Sequence, residues 1–133
     1  MATFAVDTHA LVWWITGDPR AGAGAREALD GPANVLSLSV IVLAEACWIV
    51  ERGRTAIPSP AALMQSVHSD RRFRVIPLTR PILERSLALT AVGEMHDRLI
   101  VATALHLSAR GRAVPLLTRD ANITAFGLLD VVW

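Results

Sequence analysis

Four carboxylates widely spaced along the chain, Asp7, Glu45, Asp97 and Asp120, stand where an acid is either structural or chemical. Asp7 closes the apolar run Phe4-Ala5-Val6, and Asp120 closes Leu117-Thr118-Arg119. Asp97 introduces Leu99-Ile100-Val101-Ala102-Thr103-Ala104, whose three-to-four spacing is that of a helix packed on a core. An Asp at such a helix start has an ordinary use as an N-cap, which satisfies free backbone N–H groups and suits the helix dipole. Glu45 has no such use. It interrupts the apolar stretch 40–50, a helix that is apolar nearly all round and is therefore expected to be buried. An unpaired buried carboxylate costs roughly several kcal/mol, so Glu45 must meet Arg52 or Arg98, take up a proton, or bind a cation. Brought into one crevice, two like charges ~4 Å apart repel by about 4 kcal/mol at an effective dielectric of ~20. Four acids therefore need compensation. A divalent cation supplies it, and all-oxygen ligation suits Mg²⁺ or Mn²⁺ rather than zinc. One or two such ions, keeping several waters, are equipment for phosphodiester hydrolysis.

The elements that must position these acids follow from periodicity and punctuation. Strands are expected over 4–6, 35–38, 74–78, 114–117 and 129–132. Helices are expected over 10–15, 20–29, 40–51, 61–67, 82–89 and 97–111. Gly17-Asp18-Pro19 stops the first helix, and Gly22 and Gly24 weaken the second. Ser39 caps the third, which Gly53 stops. Pro60 and Pro81 stand near first turns of later helices. Strands alternating with helices indicate one α/β domain over 1–133, with a mainly parallel central sheet of about five strands between helical layers. In such sheets the carboxyl ends of the strands form the ligand crevice. That is where Asp7 and Asp120 fall, with Asp97 entering a third such unit.

Composition narrows the function classes. The chain has 133 residues, enough to bury a core without staples, and is 53% hydrophobic. No apolar run approaches the ~20 residues of a membrane span, and no basic segment precedes an apolar one at the N-terminus as in a signal peptide. Cys47 is the lone cysteine, expected as a small buried hydrophobe, and fits a reducing cytosol. All 13 basic residues are arginine, and net charge is +1. Arginine forks suit phosphate contacts, although Arg52-Gly53-Arg54 and Arg71-Arg72-Phe73-Arg74 are first of all solvated faces.

Three segments resemble the motifs of PIN-domain nucleases, in particular the VapC-type toxins of bacterial toxin–antitoxin pairs. They are Val6-Asp7-Thr8-His9-Ala10-Leu11-Val12-Trp13, residues 39–45, and His96-Asp97-Arg98-Leu99-Ile100-Val101-Ala102-Thr103-Ala104. Leu117-Thr118-Arg119-Asp120 resembles the fourth, and the ordered set spans nearly the whole chain. The resemblance implies a PIN-like α/β/α domain that hydrolyses RNA with Mg²⁺ or Mn²⁺. Asp7 and Asp97 match the principal metal ligands, Glu45 the helix carboxylate, Asp120 the fourth acid, and Thr118 a hydroxyl that holds a ligand or water. Thr8, His96 and Arg98 are expected to touch substrate. A cognate VapB-type antitoxin, a homodimer and a cytoplasmic location are likewise implied. The chain departs from the family at Glu94-Met95-His96, where many relatives carry Asp-Pro-aromatic.

Other classes fit less well. A phosphoacceptor receiver needs an acidic pair before its acceptor strand and a late lysine, and this chain has no lysine. A haloacid-dehalogenase-type phosphatase needs a second Asp two residues after the first, where His9 stands. A metal-free ribonuclease needs two catalytic histidines and releases 2′,3′-cyclic phosphate. His68 and His106 are expected to be ordinary surface or satisfied groups, and His9 to fix the loop after Asp7. A non-catalytic PIN-like binding module has no need to crowd four acids. Trp13 and Trp14 are adjacent on one helix and cannot both face the same core, so one of them is expected to be exposed or partly covered by a neighbouring loop, and the resemblance implies a partner contact there.

Overall fold

A computed structural model describes residues 2–125 and 127–133. Its elements are β1 (Thr3–Val6), α1 (Thr8–Thr16), α2 (Ala23–Asp30), β2 (Val35–Ser39), α3 (Val40–Glu51), α4 (Pro60–Ser69), β3 (Phe73–Ile76), α5 (Arg80–Leu87), α6 (Met95–Ser108), β4 (Leu116–Leu117), α7 (Ala121–Thr124) and β5 (Val131–Val132). Among the described residues the strands make one five-stranded sheet in the order β3-β2-β1-β4-β5. Every pairing is parallel, with Ala5 opposite Ser37 on one side and Leu116 on the other. Leu36, Ser37, Leu38 and Ser39 are all buried. Successive side chains of a strand point to opposite faces, so both faces of β2 are covered. The expected α/β architecture is the observed one.

The direction of the crossovers reverses after β3. Right-handed connections therefore send the helices between β3 and β4 to the face opposite those between β1 and β3. Within each group α1 lies against α3, α3 against α4, and α5 against α6, while α3 and α6 also meet. The reversal puts a switch point between β1 and β4, the place where open α/β sheets hold ligands. Asp7 follows β1 directly, while Thr118 and Asp120 follow β4.

Several boundaries differ from the sequence expectation, each for a local reason. Helix α2 begins at Ala23, because Gly22 is its extended N-cap. Gly22 and Gly24 are where Trp133 comes close: a Cβ on Gly22 would lie 2.6 Å from the Trp133 backbone, and one on Gly24 2.7 Å from its carbonyl oxygen. Bareness there serves packing. Strands β4 and β5 are two residues each, shorter than expected, and the short helix α7 stands between them. Ser39 caps α3 as expected, accepting from the Ile41 N–H at 3.1 Å.

Three side-chain expectations are corrected. Helix α3 is not buried all round: Ala44 and Trp48 are exposed and Ile41, Glu45 and Ile49 half-buried, forming one face three and four residues apart. Cys47 is likewise half-buried rather than enclosed. Neither Trp13 nor Trp14 stands free at the surface. Trp13 is buried, and Trp14 is half-covered beside Phe73 with its Nε1–H donated to Asp30 at 2.8 Å. The tryptophan in solvent is Trp48, 56% exposed.

Candidate active site

A cleft of about 980 Å³ opens at the carboxyl end of the sheet. Asp7, Thr8, Glu45, His96, Asp97, Thr118 and Asp120 all line it, together with His9, Trp13, Arg20, Trp48 and Arg119. All four acids singled out by their spacing therefore reach one cavity, from the ends of β1 and β4 and from α3 and α6.

Asp7 is the N-cap of α1, its Oδ1 accepting from the Thr8 N–H at 2.7 Å. Its Oδ2 accepts from the Thr118 hydroxyl at 2.5 Å. Thr118 Oγ1 in turn accepts from the Asp120 N–H at 3.0 Å, so one hydroxyl ties the β4 loop to the end of β1. Asp120 caps α7, accepting from the Asn122 N–H at 2.9 Å. Thr8, fully covered, donates its hydroxyl to Glu45 Oε1 at 2.8 Å. Capping and lining the cleft are compatible roles, and two of these acids fill both.

Asp97 does not do the capping expected of it. Helix α6 starts two residues earlier, and its N-cap is Glu94, whose Oε2 accepts from the Asp97 N–H at 2.9 Å. The other oxygen of Glu94 faces His96 Nδ1 at 2.9 Å. Asp97 is thus released from its capping job, and neither of its carboxylate oxygens has a hydrogen-bond partner among the described residues. Glu94 could have been suspected from its position three residues before Asp97, an arrangement of the capping kind.

Arg98 does not join the cleft. Its Nε donates to the Val92 carbonyl at 2.5 Å and its Nη2 to that of Thr90, so it fastens the loop before α6. Arg52 stacks on Trp48, 4.0 Å from the ring centroid. Neither arginine meets Glu45, and among the described residues no cation forms an ion pair with any of the four acids.

Their proton affinities record this lack of compensation. Burial pushes Asp7 above the ordinary carboxylate value, against the hydrogen bonds from Thr118 and Thr8. Burial also raises Glu45, with Asp7 adding repulsion and the Thr8 hydroxyl opposing. Asp97 is pushed up to about 7, first by burial and then by the charges of Asp120, Glu94, Asp7 and Glu45. Glu94 goes the other way. Burial works to raise it, but the N–H groups of His96 and Asp97 outweigh that and hold it low.

The donor set fits a hard divalent cation: carboxylate and hydroxyl oxygens, with negative charge in excess. Among the described residues no three His, Cys, Asp or Glu side chains form a ready-made cage. Mg²⁺ does not require one, since it keeps several waters and is held by one or two carboxylates. The geometry is that of an acidic crevice whose rim carries aromatic and guanidinium groups.

Comparison with known proteins agrees with this fold. The family model for the PIN domain matches residues 4–128. A toxin–antitoxin complex from Klebsiella pneumoniae superposes with a TM-score of 0.67 at 22% identity, covering 98% of this chain and 96% of that one. VapBC2 from Rickettsia felis, bound to a DNA fragment from its promoter, gives 0.72 at 18% identity, with 98% and 97% covered. Mycobacterium tuberculosis VapC20, described as a sarcin-ricin loop cleaving toxin, gives 0.71 at 21% identity, with 98% and 99% covered. No curated protein matches the sequence itself.

Proposed function

The chain belongs to the PIN-domain family, and from that premise we propose that it is a VapC-type endoribonuclease, the toxin of a toxin–antitoxin pair, dependent on Mg²⁺ or Mn²⁺. The observation that carries the reading is the convergence of Asp7, Glu45, Asp97 and Asp120 on one cleft with no cation paired to any of them among the described residues. A non-catalytic binding domain has no use for this repulsion.

Asp97 and Asp7 would hold the ion, with Glu45 and Asp120 available to it directly or through water. When bound, the ion lowers the pKa of a water and neutralises charge on the scissile phosphate. The remaining residues orient the acids. Thr118 fixes Asp7 Oδ2 and Thr8 fixes Glu45 Oε1, so neither carboxylate is free to rotate. His96, half-buried on the cleft wall and held by Glu94, stands where a substrate or leaving group would pass.

An antitoxin partner is supported by the neighbours, whose solved structures include toxin–antitoxin complexes. Homodimerisation and a cytoplasmic setting belong to the same reading. No helix among the described residues is long and apolar enough to cross a membrane. Purified protein is expected to cut RNA in Mg²⁺ or Mn²⁺, leaving 5′-phosphate and 3′-hydroxyl ends, and to stop in EDTA. Cleavage that persists in EDTA and in Asp7→Asn would refute the metal mechanism.

A further inference from the structure

Trp13 and Trp14 are neighbours on α1, and each carries an arginine. Arg72 lies 5.6 Å from the Trp14 ring centroid, and its donors are committed. They go to both oxygens of Asp70 and to the carbonyls of Leu29 and Gly31. Trp13 carries two. Arg20 is 4.6 Å from its centroid and is tied to both oxygens of Asp18. Arg119 is also 4.6 Å away, yet among the described residues it makes no hydrogen bond and no ion pair.

Stacking uses the flat face of a guanidinium and leaves its in-plane N–H fork unspent. Trp13 is buried, and the Arg119 guanidinium lies over its ring with its donors uncommitted among the described residues. Arg119 is exposed and lines the same cleft as the four acids, standing in sequence between Thr118 and Asp120. A cluster of carboxylates repels a polyanion, so a phosphodiester substrate needs a cation close by to enter at all. Arg119 supplies a positive charge at the cleft, with a fork that makes no hydrogen bond among the described residues and has the shape that phosphate oxygens accept in pairs.

We propose that Arg119 is the phosphate anchor of the cleft, gripping a backbone phosphate of the RNA strand beside the scissile one. The proposal rests on the nuclease reading for its substrate, but its test is one of binding rather than cleavage. Arg119 is a positioning residue: it holds the strand and takes no part in the proton or bond changes.

The test is the salt dependence of binding to a fluorescein-labelled single-stranded oligoribonucleotide in EDTA, read by anisotropy. Each phosphate contact on a single strand contributes about 0.7 to the slope of log affinity against log salt. Arg119→Gln is expected to lower that slope by about 0.7 and to weaken binding about tenfold or more, as for a charged hydrogen bond. Arg119→Lys is expected to keep the slope while losing part of the affinity, since it retains the charge but not the fork. Mn²⁺ binding by Arg119→Gln, followed by electron paramagnetic resonance, is expected to match the parent chain. An unchanged salt slope in Arg119→Gln overturns the proposal. So does a lowered slope accompanied by lost Mn²⁺ binding, which would mean that the Thr118–Asp120 loop had been disturbed. Failure of the parent chain to cleave RNA would strike the nuclease reading instead and leave the slope comparison intact.

Discussion

At the amino end of β3, Arg72 gives its fork to both oxygens of Asp70 and two further bonds to the carbonyls of Leu29 and Gly31. At the carboxyl ends of β1 and β4, Asp7, Glu45, Asp97 and Asp120 share a cleft in which no cation pairs with them among the described residues. Aspartate, arginine and tryptophan build both regions. Asp70 is held below the ordinary carboxylate value, chiefly by its hydrogen bond from Arg72, whereas burial leads the rise of Asp7, Glu45 and Asp97. A polar cluster that satisfies itself stabilises the fold. One that leaves its charges unmatched is stabilised only by something it binds.

The sharpest way to break this comparison is to mutate one acid or base at each end. Asp97→Asn is expected to reduce RNA cleavage by about a thousandfold or more, on the scale of losing a group that stabilises transition-state charge. The same variant should leave the melting temperature intact or raised. Arg72→Ala is expected to do the reverse. It strands the Asp70 carboxylate and two carbonyls, a loss of about 2–3 kcal/mol. Melting should then fall by roughly 6–10 °C in a domain of this size, with cleavage by the folded fraction nearly unchanged. Differential scanning fluorimetry and a gel assay on the two proteins decide the matter.

The two ends should also respond oppositely to pH. Asp97 titrates near 7 in the folded chain against an ordinary 3.8. Between those values the folded state holds the extra proton, so metal-free stability falls as pH rises from about 4 to 7. Asp97→Asn removes that slope, raising stability above pH 7 by about 1 kcal/mol after discounting for solvent screening of a half-exposed group. Asp70 is lowered, so its contribution is present above its unfolded value and disappears as pH falls through the folded one. Chemical denaturation across pH, in EDTA, reads both.

Trp48 gives the smallest expected effect. Although large and apolar, it is mostly in solvent, and its stacking on Arg52 is worth about 0.5–1 kcal/mol. Trp48→Ala should shift stability by no more than that, in contrast to Trp13→Ala, which would open a core position. Urea unfolding of the two variants separates them.

Much of this was legible in the chain. Short apolar runs, one ending at Asp7 and one at Thr118-Arg119-Asp120, and Ser39 before an apolar helix, give the strand–site–helix grammar of an α/β fold. Glu45 stands out because a carboxylate inside an apolar helix has few structural uses. What escaped depends on contacts distant in sequence. The Thr8–Glu45 and Thr118–Asp7 hydroxyl bonds join residues 37 and 111 positions apart. The α6 cap falls at Glu94 because the helix begins at Met95, two residues before the apolar spacing shows it. Helix α3 reads as buried because hydropathy cannot tell a core face from a cleft wall. Trp13 and Trp14 both find cover, one beside Trp133 and the other beside Phe73, partners that only the fold supplies.

The central claim is that the crowded acids are a site for a divalent ion, and Mn²⁺ titration followed by melting temperature tests it most directly. The chain should gain several degrees on saturation, as binding to the folded state alone requires, and an Asp7→Asn, Asp97→Asn double variant should start more stable and gain nothing. Equal gains in the parent chain and the double variant would contradict it.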